Sequence, residues 1–151
     1  NEVAVVDMKT RKVTARFPTA PGGSPVGMSM DVKKGLLFIG CRNPQKLIVM
    51  RASDGKILAD LAIGPGVDAT GIDGDLAFAS TSDGALAVAR ETSPGKYEIV
   101  ETVKTSVGAR TMGIDTTTQT IYLPTAEFAE AKPGTRPALK PGTFMIVVVS
   151  K

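Results

Sequence analysis

The sequence predicts an all-β protein made of repeated units of four antiparallel strands, because three features recur along it. Asp31, Asp73 and Asp115 stand 42 residues apart, and each ends a strand-like run rich in small residues. An aromatic residue follows five or seven positions later and leads an apolar run. A period of about 40 residues with four short strands is typical of β-propeller blades. We therefore expect a partial β-propeller of about three to four blades, or about half of a seven-bladed ring.

The run before each aspartate predicts the innermost strand of a blade, strand a. Small side chains suit a strand that converges on a crowded axis, and the three copies are residues 25–30, 67–72 and 109–114. The bulkier run after each aspartate predicts strand b, at residues 36–41, 76–81 and 120–125. The aromatic side chains of strand b, those of Phe38, Phe78 and Tyr122, are expected to be buried between neighbouring sheets.

Two further runs predict the outer strands. Strand c is expected at residues 2–7, 46–50, 85–89 and 143–149, and strand d at 12–19, 56–63 and 96–105. The turns 53–56 and 93–96 place glycine where a tight hairpin needs a positive φ. The chain is thus expected to be one partial propeller domain over residues 1–151. Its units would be a c-d pair at 1–19, full blades at 26–63 and 69–105, and an incomplete blade at 111–151.

These strands resemble those of the YVTN-type β-propeller repeat proteins, whose strand b reads aromatic-Val-Thr-Asn. The matching tetrads here are Phe38-Ile39-Gly40-Cys41, Phe78-Ala79-Ser80-Thr81 and Tyr122-Leu123-Pro124-Thr125. The closing asparagine of the family is Cys or Thr in all three copies. The resemblance implies a propeller fold and export to the periplasm or the cell surface, and it leaves DNA binding open, since some members are associated with it.

The predicted units are too few for a closed ring, because closed propellers have about four to eight blades. We expect the remaining half of the propeller to come from the same gene product or from a second copy of the chain. The apolar runs at 2–7 and 143–149 should then lie at the open flanks of an arc, since a bare apolar edge invites pairing with another strand.

The chain has no histidine, which excludes Ser-His-Asp and Cys-His catalysis and imidazole metal ligation within these residues. Cys41 is the only cysteine, so no intrachain disulfide or thiolate zinc cluster can form, and we expect a buried structural thiol. The three repeated aspartates could form a metal ring, but each precedes a turn, where an Asp side chain caps backbone N–H groups. We assign no catalytic residue, no metal site and no cofactor.

The d-to-a and b-to-c connections of a propeller lie on one face, and ligand sites are commonly built from such loops. In this chain those loops bring together a polar set of mixed charge, which is the predicted ligand-binding site: Arg42, Asn43, Asp68, Asp83, Arg110 and Glu127. The alternative is an ordinary solvated rim.

Residues 126–142 form one long insertion, with Pro133, Pro137 and Pro141 spaced four apart and Lys132, Arg136 and Lys140 each preceding a proline. Proline at this spacing disfavours helix and central strand. A connection of this length is usually functional or disordered. We expect either a lid or protein-docking loop, or a surface excursion.

Three functions follow from these observations. The first is a non-catalytic exported propeller that acts as a binding or interaction module of unknown ligand. The second is an enzyme, either a metal-dependent lactonase-like hydrolase or the propeller subunit of an oxidoreductase. The third is nucleic-acid binding through a weakly basic face, since the formal net charge is +3. No run of the sequence is long and apolar enough to predict a transmembrane helix.

Overall fold

The computed structural model of the chain describes residues 1–130 and 137–150, and the regular elements within these ranges are β-strands. The prediction of an all-β chain with antiparallel sheets is confirmed. Nowhere in the described part of the chain is there a helix with the length and hydropathy needed to cross a bilayer.

The strands form four antiparallel sheets in chain order. Sheet I contains β1 (Glu2–Asp7) and β2 (Lys12–Pro18). Sheet II contains β3 (Pro25–Asp31), β4 (Leu36–Arg42), β5 (Gln45–Arg51) and β6 (Ile57–Ala62). Sheet III contains β7 (Ala69–Asp73), β8 (Leu76–Thr81), β9 (Ala85–Ser93) and β10 (Lys96–Lys104). Sheet IV contains β11 (Gly113–Asp115), β12 (Thr120–Thr125) and β13 (Met145–Val149).

Most strand bounds lie within one or two residues of the predicted ones, but β9 extends to Ser93 instead of residue 89, and β11 is shorter than expected. β11 has three residues instead of the expected six, because the chain before it turns twice: the Ala109 amide donates to the Ser106 carbonyl and the Arg110 amide to the Gly108 carbonyl. β7 begins at residue 69 instead of 67, and β13 at residue 145 instead of 143. The apolar pattern therefore located each strand, and local turns decided where it starts.

Consecutive sheets pack face to face through three hydrophobic clusters. Leu37, Ile39 and Ile48 of sheet II face Val3 and Phe17 of sheet I. A second cluster joins sheets II and III through Leu36, Phe38, Leu47, Val49, Ala77, Ala79, Ala87, Ala89 and Tyr97. A third joins sheets III and IV through Phe78, Leu86, Val88, Ile121 and Leu123. Each interior sheet is thus buried on both faces.

Phe38 and Phe78 are buried as predicted, with 6% and 8% of their surface exposed. The Phe38 ring meets Tyr97 of sheet III edge to face, at 6.2 Å between ring centroids. Tyr122 was expected to be buried as well, and this prediction is wrong, because 41% of its surface is exposed. The aromatic of each b strand points toward the following sheet, and within the described residues no sheet follows sheet IV.

Part of the outer face of sheet IV is apolar and open to solvent. Val148 lies directly opposite Tyr122 and Ile146 opposite Pro124, so these side chains share one face. Val148 is 57% exposed and Ile146 51%. We name this surface, formed by Tyr122, Pro124, Ile146 and Val148, the sheet IV flank.

The aspartates that close the first strand of sheets II and IV cap the following turn, as predicted. The Asp31 carboxylate accepts a hydrogen bond from the Lys34 amide at 3.0 Å. The Asp115 carboxylate accepts from the Thr117 amide at 2.8 Å, and hydrogen bonds from Thr118 contribute most to lowering the pKa of Asp115. Asp73 departs from the prediction. It pairs directly with Leu76, which leaves a loop of two residues, and no hydrogen bond to its carboxylate occurs within the described ranges.

Cys41 is fully buried in sheet II, where it packs with Ile39, Ile48 and Met50. Burial raises the pKa of its thiol, which keeps it in the protonated, unreactive form at neutral pH. Its environment is that of a structural cysteine.

Candidate ligand-binding cleft

A cleft of about 900 Å³ opens where the loops after β4, β6, β8, β10 and β12 meet. One part of its wall is polar and the other apolar. The residues that line the cleft include Arg42, Asp68, Arg110, Phe128, Leu139 and Phe144. Volumes of about 300–1,000 Å³ are typical of small-molecule sites.

The polar part of the wall is organised by an ion pair between sheets II and III. Arg42 is the last residue of β4, and its Nη2 donates to Asp68 Oδ1 at 2.5 Å. Its Nε donates to the Val67 carbonyl at 2.8 Å, and Val67 is fully buried. Thr111 donates its hydroxyl to the second carboxylate oxygen, Asp68 Oδ2, at 3.2 Å. The side chains of Arg42 and Asp68 are held in one orientation by these bonds.

Arg110 carries the second positive charge of the cleft. Its backbone is fixed, because the buried Ser80 hydroxyl donates to the Arg110 carbonyl and the adjacent Ala109 is fully buried in the core. Its guanidinium Nε lies 4.0 Å from Asp68 Oδ2, and its side chain is 46% exposed. Within the described residues the guanidinium donates no hydrogen bond, and Arg110 is among the residues that line the cleft.

The position of Phe128 in the apolar part of the wall depends on a glycine that packs against its ring. Gly108 has φ +80°, and a Cβ at this position would lie 2.4 Å from the Phe128 ring. Any larger residue would be strained by its backbone and would displace Phe128. Phe128, Leu139 and Phe144 are 36%, 61% and 71% exposed. Their exposed faces form an apolar surface beside the two arginines.

The insertion between β12 and β13 builds this apolar wall. Phe128 pairs with Leu139 in an isolated antiparallel bridge. The Ala129 amide donates to the Ala138 carbonyl at 2.8 Å, and Lys140 Nζ to Glu127 Oε2 at 3.0 Å. The base of the insertion is therefore held as a short ladder. Three residues of the predicted insertion lie outside the described residues, namely Lys132, Pro133 and Arg136.

The structure brings three of the six predicted site residues into the cleft, namely Arg42, Asp68 and Arg110. Asp83 instead accepts the Thr81 hydroxyl at 2.5 Å in the turn between β8 and β9. Asn43 lies in the turn between β4 and β5, where its backbone N–H donates a hydrogen bond to the Gly23 carbonyl. Glu127 lines a smaller neighbouring cavity of about 420 Å³ and pairs with Lys140.

Sequence reasoning missed the apolar half of the cleft and the contact of Thr111. Phe128 and Leu139 stand eleven residues apart, and only their pairing brings them together. A usable signal was present in the sequence, since both are large apolar residues at the two ends of a proline-rich insertion. Thr111 directly follows Arg110, so its proximity to Asp68 could have been inferred from the same loop.

Among the described residues that line the cleft, the charged ones are two arginines and one aspartate, which together carry one net positive charge. Such a site can hold an anionic group by charge-assisted hydrogen bonds. In residues 1–130 and 137–150 there is no group of three or more His, Cys, Asp or Glu placed to hold a metal ion.

No family model and no curated protein matches the chain. Solved structures that match it include a hydrazine synthase from Kuenenia stuttgartiensis, with a TM-score of 0.72 and 20% sequence identity. The match covers 82% of this chain and 35% of the hydrazine synthase chain. At this identity the likeness is one of fold alone.

Proposed function

We propose that sheets I to IV are consecutive blades of a β-propeller and that the chain is a non-catalytic binding module whose ligand occupies the cleft. The observation that carries this proposal is the cleft itself, in which a rigidly held Arg42–Asp68 pair and Arg110 face an exposed apolar wall. Loops on one side of a rigid β scaffold are the usual place for such a site.

The grouping of the strands supports the propeller. Four successive antiparallel sheets, each joined in sequence order, pack face to face through three separate clusters. The similarity to hydrazine synthase agrees with this arrangement at the level of fold. The number of blades in the ring remains part of the proposal.

The exposed apolar flank of sheet IV supports completion of the ring by polypeptide outside these residues. Tyr122 occupies the position at which Phe38 and Phe78 are covered by the next sheet. We propose that a further blade, from the same gene product or a second copy, covers it. Through the resemblance to the YVTN-type proteins, we also propose a periplasmic or extracellular location, which cell fractionation with a compartment marker tests.

Among the described residues of the lining the carboxylate is that of Asp68, and its contacts favour a binding role over catalysis. Asp68 accepts a hydrogen bond from Arg42 at one oxygen and from Thr111 at the other, so both oxygens make contacts that hold the loops of the cleft together. The second candidate is a blade region of an enzyme, and the observation that favours it is the name of the matching structure, a hydrazine synthase.

The test is a ligand screen by thermal unfolding, with each hit also checked for chemical conversion. We expect hits that raise the melting temperature, are recovered unchanged, and lose their effect when Val107→Trp fills the cleft. Val107 lines the cleft and is 63% exposed, so the tryptophan fits without disturbing the core. Val32→Trp, at a remote turn and 78% exposed, is the matched control. Conversion of a hit would establish the enzyme, and binding unaffected by Val107→Trp would contradict the cleft as the site.

A further inference from the structure

We propose that the cleft selects amphipathic monoanions, that is, molecules with one carboxylate or sulfonate group attached to an aromatic or short aliphatic body. This inference rests on the proposed function, because it assigns a ligand class to the same cleft. It combines three observations: the donors of Arg110, the net charge of the polar wall, and the exposed apolar wall beside it.

Arg110 is the recognition group for the anion. Its backbone is anchored through Ser80 and Ala109, so the side chain projects from a fixed point. Within the described residues its guanidinium makes no hydrogen bond, whereas that of Arg42 is engaged by Val67 and Asp68. A guanidinium with unused donors binds a carboxylate or sulfonate through parallel charge-assisted bonds.

Asp68 sets the preferred charge of the ligand. Its Oδ2 lies 4.0 Å from Arg110 Nε, so a bound anion would sit near a carboxylate as well as two arginines. The described residues of the lining carry one net positive charge, which a monoanion neutralises. A phosphate dianion would leave one uncompensated negative charge beside Asp68, which is unfavourable in a partly enclosed site.

The apolar wall determines the chemical character of the part of the ligand that lies next to its charged group. Phe144 and Leu139 are mostly exposed, at 71% and 61%, and lie in the same cleft as Arg110. Covering them removes apolar surface from water, which favours a ligand with an apolar body next to its charged group. A purely polar anion, such as inorganic phosphate, gains nothing from this wall.

Two fluorescent probes test the proposal because they differ only in the anion. They are 8-anilinonaphthalene-1-sulfonate and its neutral parent, N-phenyl-1-naphthylamine. We expect the wild-type protein to bind the sulfonate about tenfold more tightly than the parent, the effect of one well-placed charge-assisted contact. Arg110→Gln should abolish this preference and leave the affinity for the neutral probe within about twofold.

Matched control variants distinguish the contact of Arg110 with the anion from an effect of the overall charge of the protein. Arg90→Gln removes an exposed arginine of β9 that does not line the cleft, and the preference should survive. Phe144→Ser should weaken the binding of both probes, whereas Val32→Ser should leave the binding of both unchanged. Inorganic phosphate should fail to displace the sulfonate.

The outcomes distinguish the two proposals. Equal affinity for both probes, or a preference that survives Arg110→Gln, would overturn the anion assignment. If Phe144→Ser still weakens the neutral probe in that case, the cleft remains a binding site and only the ligand class is wrong. If neither Arg110→Gln nor Phe144→Ser changes any binding, both proposals fail.

Discussion

Asp68 is the residue on which the geometry of the cleft depends most, because its contacts link the loops of three sheets. It receives hydrogen bonds from Arg42 at the end of sheet II and from Thr111, just before sheet IV, while itself lying at the start of sheet III. A single side chain therefore aligns the loops of three sheets around the cleft. The same carboxylate offsets one of the two positive charges among the described residues of the lining.

At a second residue, Asp54, the structure predicts a defined pH dependence. The Arg51 guanidinium donates to both carboxylate oxygens, at 2.9 and 2.6 Å, and the Lys56 amide donates at 3.1 Å. These bonds, that of Arg51 first, lower the pKa of Asp54 to about 2. Because the pKa is depressed in the folded state, the stabilisation is complete above the ordinary value near 4 and is lost as the pH falls through about 2.

We predict that Asp54→Asn lowers the stability at neutral pH and that its difference from the wild type disappears as the pH approaches about 2. Urea unfolding at a series of pH values measures this difference. An NMR titration of Asp54 in the Arg51→Gln variant is the control and should show a pKa closer to the ordinary value. A difference that stays constant from neutral to acidic pH would contradict this interpretation.

Phe78 and Tyr122 form a natural pair for testing the packing, since they hold the same position in neighbouring sheets. Phe78 is buried among Leu86, Val88 and Leu123, whereas Tyr122 is 41% exposed. In the 151-residue chain, Phe78→Ala should lower the free energy of unfolding by about 3–5 kcal/mol. Tyr122→Ala should cost less than about 1 kcal/mol, as measured by chemical denaturation. Equal costs would mean that sheets III and IV do not pack as described.

At the scale of the elements, the first strands of successive sheets are in close contact. β3 and β7 approach each other so closely that a Cβ on Gly27 would lie 2.9 Å from Ala69 Cα and 2.9 Å from the Asp68 carbonyl oxygen. Backbone atoms cannot move aside as the end of a long side chain can. A Cβ on Gly113 of β11 would meet no atom of the described residues within 4 Å, because Gly113 lies on the open side of sheet IV.

We predict that Gly27→Ala destabilises the chain by about 1–3 kcal/mol, the usual cost of overpacking. Gly113→Ala should be neutral or slightly stabilising, because alanine reduces the freedom of the unfolded chain. Thermal unfolding of the two variants beside the wild type measures both effects. Tolerance of Gly27→Ala would show that β3 and β7 are farther apart than described.

The elements were predictable to different degrees, for physical reasons. β8 and β12 follow the predicted bounds, because a run of apolar residues between turn residues determines a buried strand locally. β11 was not predictable in length, since the backbone hydrogen bonds of Ser106 and Gly108 compete with strand pairing. The exposure of Tyr122 depends on which sheet lies beside it, and the apolar wall depends on the pairing of Phe128 with Leu139. These are tertiary relations that local sequence does not encode.

At the scale of the whole molecule, each of sheets I to III packs a hydrophobic face against the sheet that follows it in the chain. Sheets II and III are covered on both sides, and sheet IV has one face covered by sheet III and one exposed. The exposed face carries Tyr122, Ile146 and Val148. A contiguous apolar sheet face of this kind is a site for association. The proposed ring would bury it against a further blade.

The separation between sheet IV and the nearest sheet on its Tyr122 side tests the proposed ring most directly. It can be measured in an experimental structure of the complete gene product in its native oligomeric state. We predict an antiparallel sheet at about 10 Å, the spacing of sheets packed face to face, with Tyr122 buried against it. A sheet IV flank that borders only solvent in that structure would contradict the propeller.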